Sequence, residues 1–425
     1  MTATSVLKQK LSEGAYDEKL RMLYAGQELT GRRARLVDLI ERYEARFGET
    51  DAVLFSAPGR TELGGNHTDH QHGCVLAASV NLDTVACAAP NGTNVIRILS
   101  AGYPEEQISL DSLEPRQEEI NRSAAIIRGT AAAFVQRGYA VGGFDACVVS
   151  DVLGGSGLSS SAAYETLIGV IVNHFFCGDA LDAMEIAKIG QYAENAYFGK
   201  PSGLLDQASS SVGGVVAMDF MDLRDPAVEA IDFSFTDCGH ALCIIDSGAD
   251  HADLTDDYAA VPREMKSVAA FFGKDVLREV PEEQFAASIA GLRAACGDRA
   301  VLRAAHFYAE NERAQREADA LREGDFARFC ALVKQSGQSS FMYLQNIYSS
   351  RMPDHQAVSI ALMTAERLLG GRGAFRVHGG GFAGTIQAFV PNDLLEEFKT
   401  GIEAALGAGC CHVLSIRPVG GIVLT

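Results

Sequence analysis

The 425-residue chain is 47% hydrophobic, which excludes a disordered protein and allows a large buried core in two or three domains of ordinary size. Its net charge of −19, with no Lys/Arg block to offset it, argues against a nucleic-acid partner but leaves room for a small anion such as a nucleotide. There is no apolar run of about 18 residues, and the opening MTATSVLKQKLSEGAYDEK has no uninterrupted apolar stretch, so no membrane partner and no secretory signal are expected.

In chain order, residues 1 to about 48 read as helical. Leu36, Ile40, Tyr43 and Phe47 form an amphipathic stripe that stops before Gly48. AVLFSAPGR then reads as a short strand broken by Pro58-Gly59. CVLAASVNLDTVACAAP and NVIRILSA follow as strands around a turn at Asn91-Gly92. A helix is expected over 121–138 and a strand at FDACVVSDV. GGSGLSSSAAYETLIGVIVNHFF reads as a loop entering an apolar helix. DALDAMEIAKIGQYAENAYFG is a further helix with Gly199 as its C-cap. GGVVAMDF and ALCIIDSG read as strands, 252–345 as mostly helical, and FRVH, GTIQAFVP and HVLSIRP as closing strands. This mixed order implies α+β layers. A domain boundary is expected near residues 205 to 212. The ten cysteines contain no C-x-x-C pair and lie in apolar stretches, as free thiols in a reducing compartment do, so a cytoplasmic protein is expected.

Three glycine-rich segments carry the chemistry. Leu153-Gly154-Gly155-Ser156-Gly157-Leu158-Ser159-Ser160-Ser161 joins a strand to a helix. Its glycines let backbone N–H groups converge, the helix start adds unpaired N–H groups and a positive dipole end, and one serine hydroxyl can ligate Mg²⁺. One serine would serve as a helix cap; three exceed what a cap needs. Glu194 falls on a stripe with Ala187, Gly190 and Phe198, so it is either exposed at the stripe's edge or buried and paired, for instance by Mg²⁺. In GKPSGLLDQ, Asp206 follows two leucines; it is either a capping residue or a partly desolvated carboxylate that orients or deprotonates a hydroxyl. HGGGFAGT, residues 378–385, implies a backbone pressed against another backbone or a ligand. The stretch GRTELGGNHTDHQHG, residues 59–73, gathers Arg60, Glu62, Asp69 and three histidines, and suits a sugar or phosphate site, a metal site or a solvated loop. The histidine spacings of three and two form no H-E-x-x-H frame, which disfavours the metal.

Together, residues 59–70, 157–162, 203–207 and 379–384 stand in the order of four motifs of the GHMP small-molecule kinases, and most closely resemble the galactokinases. The segment 251–258 is similar to the family's sugar-binding H-x-L-x-x-x-E-Y region. The resemblance runs from about residue 45 to the C terminus; about the first thirty residues look like an addition. It implies an α+β, two-domain GHMP kinase fold: a helical extension over 1–45, a ribosomal-protein-S5-like domain over 46–210 and a layered α/β domain over 211–425, with the active site in the cleft between them. It implies transfer of the γ-phosphoryl of ATP to the anomeric hydroxyl of a hexose, most directly galactose, with ATP and Mg²⁺ and without nucleic-acid or membrane partners, by a monomer. Asp206 would be the catalytic carboxylate and Arg60 its partner. Gly155, Ser156, Gly157, Leu158, Ser159, Ser160 and Ser161 would wrap the triphosphate, and Ser161 and Glu194 would hold Mg²⁺. His67, Thr68, Asp69, Gly203 and Tyr258 would touch the sugar.

The chain departs from the family pattern in ways that bear on the sugar. The family's asparagine position is Glu62 and its glutamate position is Asn66, an exchange of the pair. His70 replaces a tyrosine, Leu153 a proline, His378 a threonine and Ala383 a glycine. In the family, the glutamate at position 66 accepts a hydrogen bond from a sugar hydroxyl, so Asn66 opens the alternatives of N-acetylgalactosamine, galacturonate, a 6-deoxy sugar or arabinose, unless Glu62 compensates. Two readings from other classes are a sugar- and ATP-binding regulator without catalysis, and a histidine-metal hydrolase.

Overall fold

In the first half of strand Asp51–Gly64 successive side chains alternate between the two faces of the sheet. Val53, Phe55 and Ala57 pack with helices on one face of the sheet, and Ala52 and Leu54 pack with the N-terminal helices on the other. In the computed structural model, which describes all residues except 26, 155, 156, 201, 236, 249–253 and 383, this strand lies in a nine-stranded sheet. The main path runs Thr2–Ala3, Asp51–Gly64, Cys74–Pro90, Phe144–Ser150, Val95–Ser100, Glu106–Ser109. Ile422–Val423 pairs with the second of these, Val215–Asp219 with the third, and Ala227–Ile231 with Val215–Asp219. All of these pairs are antiparallel except Val95–Ser100 with Phe144–Ser150. Cys74–Pro90 is buried along nearly its whole length, which accounts for its largely apolar sequence, and the polar residues in its middle, Ser79, Asn81, Asp83 and Thr84, are buried too.

Helices Ser123–Gln136, Ser160–Cys177 and Ala183–Ala193 cover one face. Thr4–Ser12, Asp17–Leu23 and Leu29–Phe47 cover the other, through Leu7, Leu11, Leu20, Leu36 and Ile40. A second, antiparallel sheet runs Ala374–Val377, Thr385–Pro391, His240–Asp246, Cys411–Leu414. Val215–Asp219 and Ala227–Ile231 lie beyond residue 210 and still pair in the first sheet. The expected helical stretch 252–345 holds five α-helices among the described residues, the longest Asp298–Arg322. No helix among the described residues is long and apolar enough to cross a membrane. The ten cysteines are free, six of them buried.

One local expectation fails in an informative way. Asp51–Gly64 does not break at Pro58-Gly59 but runs through it, with a register shift between Pro58 and Arg60. Gly59 is required there: a Cβ would lie 2.9 Å from the Leu158 carbonyl and 2.9 Å from Val152 Cγ1. The irregularity re-aims the following residue, as bulges beside active sites do. The helix Leu205–Val212, the one-turn π-helix Glu194–Phe198 and the short strands 2–3, 106–109, 227–231 and 422–423 were not apparent in the sequence.

A buried charge cluster ties the N-terminal helices to the first sheet. Asp83 is fully buried; its carboxylate accepts from Arg35 at 2.6 Å, Tyr24 Oη at 2.6 Å, Ser56 Oγ at 2.5 Å and Arg417 at 3.3 Å. Burial alone would raise its pKa, but Arg35 and Arg417 outweigh that and hold it below the usual carboxylate value. This contribution to stability is therefore complete above the unfolded-state pKa of about 3.9 and is lost as pH falls below it. Asp83→Asn leaves the fully buried Arg417 without its counter-charge, and a loss of about 3–5 kcal/mol in urea unfolding at pH 7 is expected.

Candidate active site

The register shift in Asp51–Gly64 points Arg60 across the chain to Asp206, 146 residues away. Arg60 Nε donates to Asp206 Oδ1 at 2.7 Å. Asp206 sits in the first turn of Leu205–Val212, near that helix's positive end. Its other oxygen accepts from Ser159 Oγ at 2.7 Å. Arg60 also donates through NH1 to the Gly157 carbonyl, and its backbone N–H donates to the Leu158 carbonyl at 2.9 Å. The glycine-rich loop is thus fastened to the carboxylate from both sides. The left-handed backbone of Gly157 (φ 74°) and Ser159 (φ 53°) makes the turn, the second without glycine's freedom.

Burial pushes Asp206 up, but the Arg60 guanidinium, the Ser159 hydroxyl and Lys200 overcome it, so the carboxyl lies below its usual range. Arg60, Gly157, Ser159, Lys200, Asp206 and Tyr258 line an open cleft of about 260 Å³.

A second set of groups continues from the loop. Among the described residues no side chain caps the start of helix Ser160–Cys177, and Ser161 is exposed at that end. Glu194 is buried at the start of the π-turn, which settles the alternatives left by its stripe in favour of burial with a partner. Its Oε1 accepts from Lys200 Nζ at 2.7 Å and its Oε2 from Gln207 Nε2 at 2.9 Å. The same Gln207 nitrogen reaches Glu165 Oε2 at 2.8 Å. Burial, and then the Glu194 carboxylate, push Glu165 well above the usual carboxylate range. Glu165 Oε1 and Gln207 Oε1 are buried with no hydrogen-bond partner among the described residues. Ser161 Oγ and the Glu194 carboxylate are oxygen donors of the kind Mg²⁺ takes, and Lys200 Nζ and Gln207 Nε2 occupy both Glu194 oxygens in this structure. Ser160, Ser161, Glu165 and Glu194 line a cavity of about 490 Å³ whose other wall carries Tyr103, Ile126 and Phe198. Lys200, Gln207 and Glu165 were not singled out from the sequence. Lys200 and Gln207 lie inside the GKPSGLLDQ segment, but Glu165 gives no local signal.

The histidine-rich turn divides into buried and accessible parts. Asn66 is fully buried: its amide nitrogen donates to Glu62 Oε1 at 2.9 Å and to the Gly379 carbonyl at 2.7 Å, and its oxygen accepts from Asn346 at 3.0 Å. Glu62 is paired with the fully buried Arg376 at 2.8 Å, and neither Glu62 nor Asn66 lines the cleft. Burial raises the Glu62 pKa, with Arg376 and Asn66 opposing it. Thr68 is likewise buried, with its hydroxyl donating to the Gly65 and Cys74 carbonyls at 2.8 and 2.6 Å.

His67 is held at about 4 by burial and by His70, so it is neutral at pH 7. Its Nε2–H donates to the Gly380 carbonyl at 3.1 Å, which leaves Nδ1 as an acceptor. Asp69 is partly exposed beside Gly203, where a Cβ would come 3.0 Å from Asp69 Oδ2. Tyr258 Oη donates to the Gly381 carbonyl at 2.7 Å, and Gly380 leaves room for its ring. The structure therefore brings together Arg60, Asp206, Gly157, Ser159, Ser160, Ser161 and Tyr258 around one cleft, with Glu194 beside it, whereas His67, Asp69 and Gly203 do not line that cleft. Gly155, Ser156, His251 and Ala383 lie outside the described residues. Among the described residues no three His, Cys, Asp or Glu side chains are grouped to hold a metal ion.

Two family models match the chain. The galactokinase galactose-binding signature covers residues 41–90, and the GHMP kinases N terminal domain covers residues 125–214. The first segment contains Arg60 and the turn 66–69; the second contains the glycine-rich loop, Glu194 and Asp206. The fold is similar to that of Lactococcus lactis galactokinase complexed with galactose, at 24% identity over 91% of this chain and 99% of that one, with a TM-score of 0.76. It is also similar to L. major mevalonate kinase in complex with R-mevalonate (13% identity, 87% and 97% coverage, TM-score 0.58). A third similar structure is a D-glycero-D-manno-heptose 1-phosphate kinase from Bacteriodes thetaiotaomicron (15%, 87% and 97%, 0.57).

Proposed function

We propose that this chain, a GHMP kinase carrying the galactokinase galactose-binding signature, is an ATP-dependent sugar 1-kinase that phosphorylates the anomeric hydroxyl of galactose. The observation that carries the reading is the junction at Asp206, where the glycine-rich loop and the arginine meet one ionised carboxylate at 2.7 Å each. Phosphoryl transfer needs positioning and charge neutralisation more than covalent help. The N–H groups at the start of Ser160–Cys177, with Ser160 and Ser161, are arranged to receive the β- and γ-phosphates. The 490 Å³ cavity between Tyr103, Ile126 and Phe198 has the apolar wall a nucleoside needs.

Asp206 accepts the hydrogen bond of the attacking hydroxyl and aligns it or takes its proton. Arg60 keeps that carboxylate ionised and faces the transferring group. His67 Nδ1, Asp69 and Tyr258 supply the polar contacts of a sugar, with Gly203 leaving room for Asp69 and Gly380 for the Tyr258 ring. Mg²⁺ held by Ser161 and Glu194 would neutralise charge on the phosphate oxygens. Thr68, and the exchanged pair Glu62 and Asn66, support the turn from behind. A cytoplasmic monomer completes the reading.

ADP release measured across galactose, N-acetylgalactosamine, galacturonate, fucose and arabinose tests the sugar. Galactose is expected to have the highest kcat/KM. A tenfold advantage for any other sugar would overturn galactose as the substrate, and ATP binding with no turnover on any sugar would select the regulator. Glu194→Gln is expected to raise the Mg²⁺ concentration needed for half-maximal rate; an unchanged metal titration would remove Glu194 from the cation site.

A further inference from the structure

We propose that Arg32, assisted by Arg35, is a positioning residue for nucleotide binding: from the N-terminal helical layer it clamps the start of the glycine-rich loop through Asp151. The inference rests on the reading of the loop and its adjoining cavity as the ATP site. Arg32 and Arg35 lie one turn apart on Leu29–Phe47, which packs on the sheet face opposite the helices that flank the cavity. Asp151 follows the last residue of Phe144–Ser150, at the point where the chain leaves the sheet to form the loop. Its Oδ2 is ion-paired with Arg32 NH1 and lies 3.2 Å from Arg35 NH1.

The neighbours of Asp151 form the cavity wall. Ser150, Val152 and Gly154 all line the 490 Å³ cavity, and Val152 packs against Gly59, next to Arg60. A shift at Asp151 is therefore transmitted to the nucleotide wall that Ser150, Val152 and Gly154 form, while Arg60 keeps its own anchors on Asp206 and the Leu158 carbonyl. The clamp is itself held: Arg32 stacks 4.4 Å over the Tyr24 ring and donates to Gln27 Oε1 at 2.7 Å, so the segment before Leu29–Phe47 fixes the guanidinium. The Asp151 backbone N–H donates to the Asp83 carbonyl at 2.9 Å, so the buried Asp83 cluster sets the height of the same residue.

Arg32 is the better probe because Arg35 also neutralises Asp83, and its loss would mix stability with positioning. Arg32→Ala in the full chain is expected to raise KM for ATP about tenfold, with kcat, KM for galactose and Tm little changed. Arg32→Lys, which keeps the charge, is expected to recover most of that loss. Arg32→Ala combined with Asp151→Ala should be no worse than Asp151→Ala alone, because Arg32 acts through Asp151, which Arg35 also holds. An unchanged KM for ATP, or a parallel loss of Tm and of both KM values, overturns the proposal. Hydrogen exchange separates its failure from failure of the kinase reading. If the wild type binds no ATP, the kinase reading falls. The clamp then stands only if amides 152–160 lose protection in Arg32→Ala while the rest of the first sheet does not, and unchanged protection overturns it. Should Arg32→Ala fail to fold, Asp151→Ala read by the same measurements decides the matter.

Discussion

Asp206→Asn is expected to fold, to bind ATP with near-normal affinity and to lose roughly a thousandfold or more in kcat. The amide keeps the shape and can still accept from Arg60, which sits 2.7 Å away, so the scaffold has little reason to move. What disappears is the negative charge that aligns or deprotonates the sugar hydroxyl, an interaction that gains strength as the hydroxyl oxygen begins to attack. Because that effect belongs to the transition state, kcat should fall while KM for ATP stays close to normal. Near-normal turnover in Asp206→Asn would remove Asp206 from the catalytic role and leave it as a structural tie between Arg60 and Ser159.

Arg60→Met should lower kcat by about a hundredfold to a thousandfold, and it should also change the pH profile. In the intact protein Asp206 titrates below its ordinary value of 3.8, so no acid limb from this group is expected at any pH near neutrality. Burial is the largest influence on Asp206 and acts upward; Arg60 is the largest influence acting downward. Removing the guanidinium lets burial prevail, so the folded-state pKa rises. The remaining activity should then be lost as pH falls through that raised value, giving an acid limb that the parent lacks. A variant with reduced kcat but an unchanged acid side would mean that Arg60 acts on the phosphate alone and does not tune the carboxylate.

The four motifs are legible in the sequence because each is local: glycines, serines and an aspartate in fixed order mark loop chemistry within a few residues of one another. Their convergence is carried only by the family resemblance, since 146 residues separate Arg60 from Asp206 and no periodicity spans that distance. Pro58-Gly59 misleads because Pro and Gly ordinarily end a strand. Here the strand needs both its continuity and the absence of a Cβ, since the Leu158 carbonyl and Val152, about a hundred positions onward, press on Gly59. Leu205–Val212 is eight residues long and rich in serine, too short to show helical periodicity. Position 66 is the sharpest contrast. In sequence Asn66 reads as a sugar contact, but it is enclosed by Asn346, Gly379 and the Glu62–Arg376 pair, partners supplied almost entirely by the second half of the chain. Glu165 and Gln207 stay silent for the same reason, because a buried carboxylate declares itself only through neighbours that folding brings to it.

Phosphorus NMR of a reaction containing the full chain, ATP, Mg²⁺ and galactose tests the proposed activity most directly, because it reports both the transfer and its position. The expected result is loss of the ATP γ-phosphorus and growth of a phosphomonoester signal coupled to the anomeric proton, absent when Asp206→Asn replaces the parent. A phosphomonoester coupled to the C6 protons, or an unchanged ATP spectrum with every sugar of the panel while the protein binds the nucleotide, would contradict a sugar 1-kinase.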